Sequence, residues 1–314
     1  MADSFRVGDA LITRIPELRW DDTDPAVLYP DLDAAALRDH GPSLSAGSYN
    51  RATGRLAQGT HSWLVRHAGL TILVDTATGN GKSLPAAPKL HDLRTPYLDH
   101  LRAVGVAPEQ VDLVLISHIH ADHVGWNTSW RDGAWVPTFP NARHLYSAIE
   151  ARYGASNDGL APAPDLPPAA LGPPDHPPLP LVYRDSMQPV IAAGLGQAIV
   201  VDGSEVAEGL SFHPTPGHSI DHASIRLRSR GEEAWFMGDV LHHPLQVYRP
   251  DLRSGYCEFI APAERSRRWL LAQAADSGGL CFSTHFAETS AGHVRRRDGG
   301  FTWQFAPSIE DAQR

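Results

Sequence analysis

The sequence predicts a layered α/β sandwich with mixed sheets. Three observations carry that expectation. Runs such as "VDLVLIS" and "QAIVVDG" are rich in branched apolar residues and have strand character. Helix-like segments near the middle and near the end alternate with such runs, the pattern of helices laid over sheets. Several strand-like runs also stop abruptly on His or Asp, as "VLISHIHADH", "WFMGD" and "CFSTH" do.

In chain order, "HSWLVRHAGLTILVDTATGN" (61–80) reads as a hairpin, with two β-rich runs about a turn at Ala68-Gly69 and a Gly/Asn loop beyond. "TPYLDHLRAVG" (95–105) reads as a helix, with Thr95 at the N-cap, Pro96 at the first helical position and Gly105 at the stop. "QVDLVLIS" is a buried strand, "ARHLYS" (142–147) is another, and "AIEARYG" begins a helix. Residues 155–182 hold nine prolines and cannot form a regular element. "YRDSMQPVIAAGLG" then looks helical and "QAIVVDG" extended, and "GLSFHPTPGH", "HASIRLRSR" and "EEAWFMGD" read as a strand meander. "PAERSRRWLLAQAADSGG" has apolar positions on one side and Arg/Glu on the other, as a surface helix does. "LCFSTH" is a last buried strand, and "HVRRRDGGFTWQF" closes as a hairpin.

The bulk properties bound the function. The 314 residues are expected to form one domain, 1–314, with an N-terminal extension over about 1–60 and the Pro-rich insert at about 155–182. Hydrophobic residues make up 42% and charged residues 20%, ordinary for a globular enzyme. No apolar run approaches the ~20 residues of a membrane span, so no membrane partner is expected. The N-terminal stretch lacks a basic region followed by an apolar one. Cys257 and Cys281 read as buried thiols in a reducing compartment. A cytoplasmic location follows as the expectation. With 36 acidic and 27 basic side chains the formal charge is −9. The dense basic runs, "ERSRRW" (264–269) and "HVRRR" (293–297), read as solvated faces of a helix and a hairpin, so no nucleic acid partner is expected.

The chemistry concentrates in "SHIHADH", residues 117–123. His118 and His120 lie two apart and point the same way in extended backbone. Asp122 and His123 follow on the turn. Four such ligands from one loop crowd a single zinc, which takes three protein ligands and a water. They suit two metals sharing a bridge, with about three further ligands from elsewhere. His218 in "HPTPGHS", Asp239 in "WFMGDV" and His285 in "LCFSTHF" each lie at or beyond a strand end, where functional groups collect.

These motifs, "HIHADH", "TPGHS", "GD" and "STHF", resemble the metal-binding motifs of the metallo-β-lactamase superfamily, over roughly residues 60–300. More narrowly, "HSWLVRHAGLTILVDTATGN", "GDVLHHPLQ" and "STHFAETSAGHVRRRDGGFTW" are similar to the branch containing methyl parathion hydrolase; N-acyl homoserine lactonases are more distant. The resemblance implies an αββα four-layer sandwich with the site in a cleft at one edge of the facing sheets. It implies two Zn2+ per chain: one held by His118, His120 and His218, the second by Asp122, His123 and His285, with Asp239 bridging. Asp122 and Asp239 are then the carboxylates of the catalytic centre. Zinc lowers the pKa of bound water to near 7, so a metal-bridging hydroxide needs no dedicated protein base. The function implied is a binuclear zinc-dependent hydrolase of a small-molecule ester, lactone or phosphotriester. Glyoxalase II-like thioester hydrolysis, hydrolytic dehalogenation and a mononuclear-iron persulfide dioxygenase-like activity are the alternatives.

Other residues are weighed as lesser candidates. "TGNGKS" (78–83) ends like a phosphate loop, but Thr76 stands where its first glycine belongs. His242 and His243 are read as packing residues first and pocket residues second; His61, His213 and His222 are unfavoured as ligands. Trp126 walls the pocket or packs in the core. Tyr146, Tyr153 and Tyr183 are candidate proton donors. The Pro-rich insert is expected to be an ordered cover of the cleft or a homodimer contact rather than a loose linker.

Overall fold

The computed structural model describes residues 3–162, 171 and 174–312. Two mixed sheets face each other. The first has the order β1 (Ser4–Val7), β2 (Ala10–Thr23), β4 (Arg55–His67), β5 (Leu70–Val74), β6 (Leu113–Leu115), β9 (Arg143–Ser147) and β10 (Gly196–Ile199), with β3 (Tyr49–Asn50) beside β4. Its pairs from β5 to β10 are parallel and the others antiparallel. The second runs β11 (Glu205–Ala207), β12 (Leu210–Pro214), β13 (Ala223–Ser229), β14 (Glu232–Phe236), β15 (Leu280–Phe282), β16 (Ala291–Arg297) and β17 (Gly300–Phe305), with only β14 and β15 parallel. A separate ribbon pairs β7 (Thr128–Arg131) with β8 (Ala134–Pro137). Residues 4–23, expected to precede the main fold, are two strands of the first sheet.

Period-two alternation builds the layers. In the first sheet Leu64, Leu73 and Val114 point out, onto Tyr97 and Leu101 of the helix Tyr97–Ala103. Their neighbours Trp63, Val65, Ile72, Val74, Leu113 and Leu115 point in and meet Phe212, Ile225, Leu227 and Phe236 of the second sheet. On the far side Trp235 and Cys281 meet Leu270, Leu271 and Ala274 of the long helix Ile260–Ser277. The order helix, sheet, sheet, helix is the αββα sandwich. No helix among the described residues is long and apolar enough to cross a membrane.

The hairpin of β4 and β5 forms as expected, and Ala68 and Gly69 both have positive φ (52° and 78°), as a tight turn between twisted strands requires. Two expectations fail for tertiary reasons. Thr95 does not cap the helix that follows; its hydroxyl faces Glu17 Oε1 at 3.3 Å and Asn80 Oδ1 at 3.2 Å. The stretch 264–269 is not uniformly solvated. Arg267 is buried and donates to the carbonyls of Val240, Pro250 and Leu252. Parts of the Pro-rich insert, 163–170 and 172–173, lie outside the described residues; residues 174–181 form no helix or strand.

Candidate metal centre

Strands β5 and β6 run in one direction in the first sheet, and β12, β14 and β15 share a direction in the second. Their C-terminal ends deliver the site. After β6 the chain bends at Ser117, reaches an extended His120 and turns into the short helix Ala121–Val124, which carries Asp122 and His123. His218 follows β12, Asp239 follows β14 and His285 follows β15. The loops after β5 and β6 are braced together by Glu17, a buried carboxylate of β2. Glu17 accepts from Thr78 N (2.7 Å), Gly79 N (3.0 Å) and Trp126 Nε1 (2.7 Å). The phosphate-loop look-alike at 78–83 is therefore part of this brace. Trp126 stacks on Tyr97 at 5.4 Å between ring centroids, in the core.

All seven sequence-predicted residues converge. Donor atoms of His118, His120 and His218 lie within 4.8 Å of one another, as do those of Asp122, His123 and His285, and those of His118, His123 and Asp239. Asp239 sits between the groups: Oδ1 is 3.1 Å from His123 Nε2, and Oδ2 is 2.9 Å from His285 Nε2 and 3.2 Å from His218 Nε2. His120 Nδ1 faces His218 Nε2 at 2.9 Å. Each imidazole anchors its other nitrogen in the protein. His118 Nδ1 lies 3.0 Å from Ser117 Oγ, and His123 Nδ1 lies 2.8 Å from Asp75 Oδ2. His285 Nδ1 lies 2.9 Å from the Gly59 carbonyl, and His120 Nε2 lies 2.6 Å from Glu258 Oε1. His218 Nδ1 is 3.7 Å from Cys257 Sγ.

The electrostatics follow from burial and crowding. Burial, and then the neighbouring imidazoles, hold His118 well below the ordinary histidine value. Burial likewise depresses His218, against the pull of Asp239. For His123 burial is outweighed by Asp239, Asp75 and Asp122, which raise it well above that value. Asp239 resists burial and is held well below the carboxylate range by His123, His285 and His218. His118 Nε2 is buried with no hydrogen-bond partner among the described residues. An unpartnered imidazole nitrogen aimed at carboxylates and other imidazoles is the donor chemistry of a borderline-soft divalent ion.

The lesser candidates sort as follows. His222 Nε2 accepts from the Asp239 backbone N–H at 2.9 Å, and so sets the turn that carries Asp239. His61 holds the Ser283 carbonyl, His243 the Ser48 carbonyl, and His213 packs between Trp235 and Trp269. His242 comes closer than expected, with Nε2 3.4 Å from Asp239 Oδ2. Tyr153 and Tyr183 line a small side cavity, and Tyr146 is buried. The phenol on the main cavity is Tyr256, which sequence reasoning missed. Asp75, Glu17, Glu150 and Glu258 were missed too. Asp75 directly follows β5, so the strand-end signal that marked Asp239 would have found it; nothing local marks Glu258.

His120, Asp122, His218, Asp239 and His285 line a cavity of about 650 Å³, walled by Trp20, Val27, Leu90, Leu179 and Tyr256. Its described lining holds one Lys or Arg, Lys89, which pairs with Asp22 at 2.6 Å.

Comparison with known proteins gives a consistent picture. Residues 56–285 match the model of the metallo-beta-lactamase superfamily. Curated proteins return no match. Among solved structures the chain is similar to hydrolase AbOPH of the beta lactamase superfamily, at 24% identity over 97% of each chain and a TM-score of 0.75. AidC, a dizinc quorum-quenching lactonase in complex with the product N-hexanoyl-L-homoserine, is 19% identical over 98% of each chain, with a TM-score of 0.72. A probable metal-dependent hydrolase from Staphylococcus aureus is 16% identical over 96% of this chain and 99% of its own, at 0.70.

Proposed function

The chain belongs to the metallo-beta-lactamase superfamily, and on that premise we propose that it is a binuclear, zinc-type hydrolase of a neutral, partly apolar ester, lactone or phosphotriester. One observation carries the reading: five imidazoles each bring one nitrogen into overlapping groups of donor atoms that include Asp122 and Asp239, while the protein holds the other nitrogen, the pattern of oriented metal ligands. His118, His120 and His218 would hold one ion and Asp122, His123 and His285 the second, with Asp239 between them. Bound there, two zinc ions would supply Lewis acidity and an activated water at neutral pH.

The chain's own residues orient and select. Asp75 fixes the His123 ring, and His222 fixes the backbone of Asp239. Tyr256 lines the cavity and is 46% exposed; an ordinary phenol keeps its proton at neutral pH, so in this reading it can donate toward a departing oxygen. The walls favour an apolar substituent. The absence of a free Lys or Arg among the described lining residues disfavours a carboxylate-bearing substrate, such as a glutathione thioester or a β-lactam. The lactonase action of AidC agrees with a neutral substrate.

Two measurements test this. Elemental analysis of zinc-loaded protein should find close to two zinc per chain, and Asp239→Asn should lower both occupancies. A panel of neutral aryl esters, lactones and phosphotriesters should be turned over in preference to anionic thioesters and β-lactams. A well-loaded chain with one zinc, or one that prefers the anionic substrates, contradicts the proposal; bound iron with redox activity would favour the dioxygenase-like alternative.

A further inference from the structure

We propose that Glu258 is a positioning residue for His120, whose ring it turns so that Nδ1 faces the metal centre; this rests on the reading of His120 as a ligand. Glu258 Oε1 lies 2.6 Å from His120 Nε2. A carboxylate there accepts the Nε2 proton, so the proton stays on Nε2 and the lone pair is left on Nδ1. That is the nitrogen facing His218 Nε2 at 2.9 Å. His120 needs such a partner most. Its side chain is 16% exposed, while those of His123, His218 and His285 are 5% or less. Among the described residues Glu258 is the partner recorded for its outer nitrogen.

Glu258 is itself held in place. Its side chain is 3% exposed, its backbone N–H donates to the His218 carbonyl at 2.9 Å, and Phe259 N donates to the Gly217 carbonyl at 2.8 Å. Cys257 adds its sulfur against His218 Nδ1. Residues 257–259 thus grip both outer imidazoles of the first triad from one side. Glu150, the next buried acid, cannot stand in for Glu258. Its oxygens already accept from Ile119 N (3.1 Å), Ser219 Oγ (2.5 Å) and Asp221 N (2.7 Å), so it braces the backbones beside the ligands. Carboxylate partners of this kind fix the ring and strengthen its basicity, and losing one costs about 10–100-fold in metal affinity.

The test uses the full chain, stripped of metal and equilibrated with Zn2+ at buffered free concentrations. Zinc per chain is read by elemental analysis, and circular dichroism follows the metal-free fold. Glu258→Ala should weaken one zinc equivalent by about 10–100-fold and leave the other unchanged. Glu258→Gln keeps a neutral acceptor and should fall between it and wild type. In a His120→Ala background Glu258→Ala should cause no further loss, which a merely structural role would not produce. Unchanged zinc affinity in a folded Glu258→Ala chain overturns the proposal, as does a further loss in the His120→Ala background. Should Glu258→Ala fail to fold without metal, Glu258→Gln decides on the same criterion. A wild-type chain holding a single zinc defeats the binuclear reading alone, since weakening of that zinc in Glu258→Ala still supports this inference.

Discussion

Lys82 shows how far burial shifts a single residue. Its ammonium sits 3.5 Å from the centre of the Trp135 ring and donates to Thr128 Oγ1 (2.7 Å) and the Asp185 carbonyl (3.1 Å). No carboxylate oxygen pairs with it among the described ion pairs, and burial pulls its pKa from 10.5 down to about 7. The unfolded chain therefore binds more protons at this position between about pH 7 and pH 10.5, and folding stability gains as pH rises through that window. Lys82→Met removes the group. Melting temperatures of wild type minus variant should rise from pH 7 to pH 10, and a flat difference would show that the amine keeps its proton. At this scale sequence legibility tracked local context. His118, His120, Asp122, His123, His218, Asp239 and His285 all followed strand-like runs, so each could be named. Glu258 sits on a loop between unrelated elements, and only the fold brings it to His120.

Elements were read well where one local rule governs them. The β4–β5 hairpin follows from alternation and a turn that tolerates positive φ, and the long helix from its apolar stripe. Where a distant partner decides, local reading fails: Glu17 takes the Thr95 hydroxyl away from the helix cap, and three loop carbonyls draw Arg267 inward. The motif element makes a sharper demand at Gly125, just past the turn that carries Asp122 and His123. Its N–H donates to the Ala77 carbonyl at 2.8 Å, and a Cβ there would lie 1.6 Å from the Thr78 carbonyl oxygen. Gly125→Ala must push apart the 76–79 loop and the turn holding Asp122 and His123. It should cost about 3 kcal/mol in denaturant unfolding, the upper end of ordinary overpacking. A loss under about 0.5 kcal/mol, the range of neutral surface changes, would mean the two segments separate freely.

Across the whole molecule the Pro-rich stretch meets the cavity. Asp175 donates its N–H to the Glu258 carbonyl at 2.6 Å, and its carboxylate accepts from Ile260 N at 2.9 Å, capping a helix whose own N-cap, Phe259, has no side-chain bond to offer. His176, Pro177, Pro178 and Leu179 follow along the cavity wall. We propose that residues 174–179 act as a cover rather than a linker. Replacing 176–179 by Gly/Ser residues, with Asp175 kept, should leave zinc per chain unchanged and alter KM across the ester and lactone panel; identical KM values on every substrate would make these residues bystanders. The scattering of the donors has another consequence, one that concerns time rather than chemistry. They run from residue 118 to residue 285 and arrive from both sheets, so neither half of the chain can present the full set alone. Loop-closure entropy must be spent and the two sheets docked before all seven meet. Capture of the full proposed metal complement would then be among the last events of refolding, and the ions would act as a latch on a sandwich already closed rather than as the seed around which it collapses.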